Sequence, residues 1–217
     1  MKDYIGSFAE LISLIITIVY YKDIKNSYMK WFLPFLLFIF LGELFAKYLY
    51  SVLNRSTISM QYFIGISESI FYGFIFYKLY DRLIFKKLII FLVLINTLIF
   101  SLGFFFFTDE FSYFFPSIIL CGFFLAVIAL GYIYTKYVDD DEIILLNESG
   151  FWLAMGVSMF FSGTSIVFTL HDVIIKNNLT FFGVKLYNFV PRVLSVILYA
   201  SISIAIILCK KKTKALS

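Results

Sequence analysis

Histidine, cysteine and charge are what this chain has least of. One histidine, His171, in 217 residues excludes a multi-histidine metal centre. The two cysteines, Cys121 and Cys209, both lie inside apolar runs, so no disulfide framework follows. Three prolines and 11 glycines leave little room for long irregular loops. Phosphate loops, dinucleotide fingerprints, H-E-x-x-H and C-x-x-C are all missing. No cofactor and no metal is therefore expected. Charged residues make up 15% of the chain, against about 25% in soluble domains.

What fills the chain instead is apolar. Hydrophobic residues reach 62%, with 29 Phe and 16 Tyr, a composition that belongs in lipid. A membrane span needs about 20 mostly apolar residues. Seven stretches qualify, near 4–21, 31–52, 60–80, 88–107, 113–135, 150–171 and 186–209. The fold class expected is all-α: one polytopic domain, a seven-helix transmembrane bundle with short antiparallel connections. Residues 210–217 form a basic cytoplasmic tail. The first stretch reads as a retained helix, because Glu10 interrupts its apolar run and no small-x-small cleavage site follows. No internal repeat is evident.

Orientation follows from Lys and Arg in the short loops. With the amino terminus outside, 12 of the 18 face the cytoplasm, from Lys22 in the first loop to Lys214 in the tail, and five face outward. Lys47 lies within a helix. The expected topology is N-out, C-in. The acidic run Asp139-Asp140-Asp141-Glu142 then reads as a solvated cytoplasmic loop, and Lys210-Lys211-Lys212 with Lys214 as a stop-transfer anchor that also attracts anionic lipid.

Against this background the ionisable residues inside the spans stand out, because charge at membrane depth is costly. Glu43 and Lys47 lie four residues apart in the second stretch, and Glu68 lies in the third. Counting from the outer ends at 1.5 Å per residue puts both glutamates roughly 12–14 Å deep and Lys47 about 7–8 Å deep. At matching depth on adjacent helices, two carboxylates can share a proton. Spacing at i, i+3, i+4 and i+7 extends the pattern. Helix 1 offers Glu10, Ser13, Thr17 and Tyr20; helix 3 offers Gln61, Gly65, Glu68 and Tyr72; helix 7 offers Asn188, Arg192, Ser195 and Tyr199. Helix 6 offers Ser158, Ser162, Ser165, Thr169 and Asp172. Helices 4 and 5 carry little polarity and read as the most lipid-exposed. If the stripes converge, Glu10, Glu43, Lys47, Glu68, Arg192, Tyr199, Ser162 and Asp172 are the candidates for a ligand- or ion-binding pocket in the outer half. No residue is expected to be catalytic.

Each feature also has a plainer reading. The helix 6 hydroxyls serve helix packing, as in the small-x-x-x-small pair Ser158 and Ser162. Glu43, Lys47 and Glu68 can fix helix register as a buried network without binding anything. His171 and Asp172 can be solvated at the membrane boundary.

Three stretches carry a resemblance. They are Gly42-Glu43-Leu44-Phe45-Ala46-Lys47-Tyr48-Leu49, Ser67-Glu68-Ser69-Ile70-Phe71-Tyr72, and Phe151-Trp152-Leu153-Ala154-Met155-Gly156 through Phe160-Phe161-Ser162-Gly163. With them the chain resembles small seven-helix inner-membrane proteins of AT-rich bacteria. That resemblance implies a helical bundle in the bacterial inner membrane with glutamates in helices 2 and 3, in a sensory or regulatory setting. More narrowly, the chain looks like the membrane accessory proteins of type VI-B CRISPR–Cas loci, which implies regulation in antiviral defence. The function expected is non-enzymatic regulation or sensing. The outer pocket would take a signal, and the basic inner face would meet a soluble cytoplasmic protein, with the lipid bilayer as the other partner. Nucleic acid is not expected to bind directly, and oligomeric state stays open. A small proton- or cation-coupled transporter is the alternative, and an intramembrane hydrolase using Glu43 and Glu68 a further one.

Overall fold

Backbone hydrogen bonds continue where hydropathy stops, so the helices overrun the apolar stretches that announce them. The computed structural model describes residues 5–54, 56–106, 111–139 and 145–215. Within them lie α1 (Ile5–Ile24), α2 (Phe32–Ser51), α3 (Ile58–Leu79), α4 (Leu83–Phe106), α5 (Phe111–Asp139), α6 (Ser149–Thr169), the short α7 (His171–Lys176) and α8 (Leu186–Ala215). The expected seven long helices are thus found as helices. The largest boundary error is the end of α8, expected at 209 and found at Ala215, so that Lys210 to Lys214, expected as a tail, continue the helix. The start of α4, expected near 88, is found at Leu83, because Lys86 and Lys87 likewise sit on helical turns outside the apolar run. Asp140 to Glu142, most of the acidic loop, lies outside the described residues.

Five of these helices are long and apolar enough to cross a membrane: Tyr28–Ser51, Leu83–Phe106, Pro116–Val138, Ser149–Thr169 and Leu186–Lys210. By length and composition this is a multi-pass membrane protein. α1 and α3 are not among the five. They are the helices that carry Glu10 and Glu68, and their polar stripes lower their apolarity.

α6 sits at the middle of the packing, with α5 on one side and α8 on the other, and α8 in turn runs along α1. Small residues permit the close approach. A Cβ added at Gly156 would lie 2.6 Å from the Ser201 Cβ and 3.4 Å from the Leu198 Cα of α8. One added at Gly122 would lie 3.0 Å from the Phe161 carbonyl oxygen of α6. α4 packs on the outside of α3. It keeps the smallest share of its span buried, as expected. α5 does not follow that expectation: it buries more of its span than α2 does, because α6, α3 and α4 all pack on it.

The α2–α3 joint is looser. α2 packs mainly on α1 and touches α3 lightly. Its contacts to α3 are largely aromatic: Phe35 stacks on Phe71 with centroids 3.6 Å apart, and Phe32 meets the same ring edge-on at 5.0 Å. Those rings lie nearer the α2 start. Nearer the α2–α3 turn, Gly42 of α2 sits against α3, where an added Cβ would lie 3.2 Å from Met60 Cε and 3.6 Å from Ile64 Cδ1.

Between α6 and α8 lies a detail the hydropathy pattern did not announce. After α7, strands β1 (Thr180–Phe181) and β2 (Val184–Lys185) form a two-residue-loop hairpin. Phe182 and Gly183 make its turn with φ of 49° and 74°. Positive φ at both central residues is the primed turn that matches strand twist. Glycine suits the second position; phenylalanine occupies the first at some cost.

Candidate functional site

The antiparallel helices bring the α2–α3 turn, α7 and the hairpin to the same end of the bundle as the start of α1. Here the carboxylates gather. Ser51 ends α2 and Ile58 starts α3. Glu43 therefore lies about 12 Å and Glu68 about 15 Å from the ends of their helices, at 1.5 Å per residue. Both line one cavity of about 520 Å³, together with Lys47, Gln61, Phe100, Cys121, Phe161 and Thr164 among others. The cavity lies between α2 and α3, closed from behind by α5 and α6. Its walls are mostly aromatic and aliphatic, with few polar groups.

Lys47 reaches across to α1. Its Nζ stands 3.9 Å from Glu43 Oε2 and donates to Ser7 Oγ; the Ser7 hydroxyl in turn donates to Glu43 Oε2 at 3.4 Å. Glu43 and Lys47 keep 40% and 43% of their side chains exposed. This exposure is toward the cavity and its mouth, so the pair is a half-open bridge between α1 and α2. Glu68 has part of its surface open to the cavity and no hydrogen-bond or ion partner among the described residues. The expected shared proton is not supported by contact. Glu43 and Glu68 line one cavity and lie within electrostatic reach of each other, but no hydrogen bond joins them.

Glu10 lies behind this pair. It is 0% exposed, and neither carboxylate oxygen has a hydrogen-bond partner. Tyr199 of α8 lies beside it within donating reach, and Glu43, Lys47 and Glu68 are all within electrostatic reach. Tyr72, fully buried against Phe35 and Phe161, stands close to both Glu68 and Glu10. Five of the eight candidates thus meet at one place: Glu10, Glu43, Lys47, Glu68 and Tyr199.

The other three do not. Arg192 lines a separate groove with Phe182, Val184 and Phe189, between α8 and the hairpin. It lies one turn beyond Ser195, the point where α8 meets Gly6 of α1. Ser162 faces a groove between α5 and α6 and donates to its own helix, at the Ser158 carbonyl, 2.6 Å away. Ser158, Ser165 and Thr169 likewise donate to backbone carbonyls, Ser165 across to Ile119 of α5 at 3.2 Å. Of these hydroxyls, only Ser165 bonds across to another helix. Asp172 projects fully into the surroundings, its Oδ1 3.1 Å from His171 Nδ1.

Three residues at or beside the cavity were missed: Ser7, Thr164 and Cys121. Ser7 is one turn before Glu10, and extending the helix 1 stripe by i−3 would have found it. Thr164 and Cys121 stand on faces that their own helices' polar stripes do not mark. Among the described residues, no three His, Cys, Asp or Glu side chains are grouped so as to hold a metal ion.

The opposite end of the bundle is held by a different set of contacts. Tyr80 donates to the Ile128 carbonyl at 2.9 Å, Tyr132 to Glu148 Oε1 at 3.1 Å, and Tyr28 bonds to Ser149 at 3.1 Å. Lys210 pairs with Asp23 at 3.8 Å and Lys136 with Asp81 at 3.7 Å. Lys210 also lies over the Tyr20 ring, 3.9 Å from its centroid. Compared with models of known families, with curated proteins and with solved structures, the chain matches none.

Proposed function

We propose that the chain is a non-enzymatic sensory or regulatory membrane protein, with seven spans, N-out and C-in, in a bacterial inner membrane. A ligand enters the carboxylate cavity at the outer end, and the basic inner end meets a soluble partner. The observation that carries this reading is the cavity itself. It is of ligand size by the usual range of roughly 300–1,000 Å³, and it holds two carboxylates in an otherwise apolar wall. The seven-span count rests on the lengths of α1 and α3, 20 and 22 residues, which suffice to cross despite their polar stripes. Support for the orientation comes from the Lys and Arg bias.

Transport is the second reading, and one observation favours it. A fully buried carboxylate, such as Glu10, is costly unless a proton or cation visits it. Against transport, each long helix runs unbroken through the described residues, whereas transporters commonly bind at discontinuous helices. A hydrolase would pair Glu43 with Glu68, and those side chains share no hydrogen bond.

The test combines topology with flux. Reporter fusions at Lys212 and within 139–142 should both report the cytoplasm; either one outside overturns the orientation. Proteoliposomes of the parent should show no proton or cation flux. Flux that disappears in the Glu43→Gln, Glu68→Gln double variant replaces sensing with transport.

A further inference from the structure

The chemistry of the cavity narrows what it can bind. This step rests on the cavity being a ligand site. Lys47 is already engaged by Glu43 and Ser7, so the local positive charge is matched. Glu68 is not: it faces the cavity with no hydrogen-bond or ion partner among the described residues. Behind it, Glu10 is a second carboxylate, wholly buried, with Tyr199 beside it and within electrostatic reach of Glu68 and Glu43. The site therefore offers more carboxylate acceptors than the described residues supply donors for. In a low-dielectric wall such groups are stabilised by a cation and penalised by its absence.

A multidentate metal site is not favoured, since no three His, Cys, Asp or Glu side chains group together among the described residues. Most of the cavity surface is carbon, and Phe100, Phe160, Phe161 and Phe168 supply ring faces. Aromatic rings attract organic cations through their quadrupole. A neutral apolar guest would fill the volume and leave Glu68 unmatched. An anion would meet two carboxylates and a lysine already held by one of them.

We propose that the cavity binds an amphipathic organic monocation, its charged head beside Glu68 and its apolar body against the Phe100, Phe160 and Phe161 walls. One positive charge answers Glu68, the lining carboxylate that has no counterion among the described residues. A permanently charged head group serves as well as a protonated amine, because the geometry asks for charge and not for a particular donor.

The test uses three probes of one size: benzyltrimethylammonium, its neutral carbon isostere neopentylbenzene, and the anion 3-phenylpropionate. Binding to the full-length protein in nanodiscs is measured by calorimetry for the parent, Glu68→Gln and Ala46→Trp. Ala46 lines the cavity, so tryptophan there fills it. Benzyltrimethylammonium should bind the parent at least tenfold more tightly than the neutral isostere. Glu68→Gln should remove that advantage, and Ala46→Trp should abolish binding. If the neutral probe binds as tightly as the cation, or if Glu68→Gln leaves cation binding unchanged, the ligand class is wrong while the cavity remains a binding site. If none of the probes distinguishes the parent from Ala46→Trp, the cavity is not a ligand site and the sensory reading fails with it. Glu68→Met is read in the same way should the glutamine variant lose its folded melting transition.

Discussion

At the basic end of the bundle Tyr28, Tyr80 and Tyr132 each bond to another element, while at the carboxylate end Glu10 and Ser13 bury oxygens with no partner. The same amino-acid alphabet is used in two ways. Where polar groups are matched, they tie helices together. Each net hydrogen bond contributes only about 1 kcal/mol, but leaving a buried group unmatched costs about 1–3 kcal/mol. Such a cost is tolerated where it leaves the protein able to bind something, and stability then has to come from elsewhere. In this chain it comes from the basic end and from the small-residue contacts of α6 with α5 and α8. One buried oxygen of Glu148 is an exception, unmatched on the side that is otherwise closed.

The comparison is broken most directly at the closed end. A Cβ on Gly150 would press into the Tyr132 hydroxyl and lie 3.1 Å from Leu79 Cδ2. Gly150→Leu overpacks the point where α3, α5 and α6 meet and displaces the Tyr132–Glu148 bond. It should destabilise by about 3 kcal/mol, the upper end of the usual overpacking range, read as a lower midpoint in SDS unfolding of the reconstituted protein. Tyr132→Phe is the milder version. It removes one hydroxyl and leaves Glu148 without the one donor that its Oε1 has. A loss of about 2 kcal/mol is expected, as for hydrogen bonds to charged groups. If Tyr132→Phe has no effect, the basic end is not held by its polar contacts and the contrast fails.

The open end should behave in the reverse sense. Glu10→Leu removes a wholly buried carboxylate and places carbon against the α1–α8 interface beside Tyr199. Replacing uncompensated buried charge with an apolar side chain is often neutral or stabilising. A gain of about 1 kcal/mol is expected, with weaker binding of benzyltrimethylammonium. A gain in stability with lost binding is the signature of a functional group. Destabilisation of the same size would make Glu10 structural.

How much of this was legible in the sequence depends on what periodicity can report. Hydropathy located seven helices and the 3.6-residue stripe put Glu10 on the buried face of α1, Glu43 and Lys47 one turn apart on α2, and Tyr199 on the buried face of α8. It could not report how each helix is rotated against its neighbours. Ser162 is on a true polar stripe, but that stripe turns toward α5, and Phe160, Phe161 and Thr164 face the cavity instead. Arg192 and Tyr199 are seven residues apart, two turns on one face. They still part company, because α8 passes from α1 to the hairpin within that distance. The β1–β2 hairpin itself was invisible: two-residue strands have no period to detect, and Phe182 is an unusual residue for its turn. The loose α2–α3 joint was equally hidden. A short connection in sequence suggests close packing, whereas the aromatic stacks at one end and the cavity at the other depend on shapes that only the folded chain has.

The smallest expected change in stability is the most informative about the open end. Lys47 and Glu43 are both about half exposed and 3.9 Å apart, a geometry in which an ion pair typically contributes under about 1 kcal/mol. Lys47→Met keeps the length and apolar stem of the side chain and removes its charge. Stability should fall by about 0.5 kcal/mol at most. Cation binding should move the other way, because Glu43 loses its counterion and adds its charge to that of Glu68 at the cavity wall. Benzyltrimethylammonium should bind Lys47→Met several-fold more tightly than the parent, with neopentylbenzene unchanged. Were the lysine instead a structural pin between α1 and α2, its loss would lower stability well beyond that range and weaken both probes together. The two outcomes differ in sign for the cation, so one titration separates a tuned binding wall from a buried register lock.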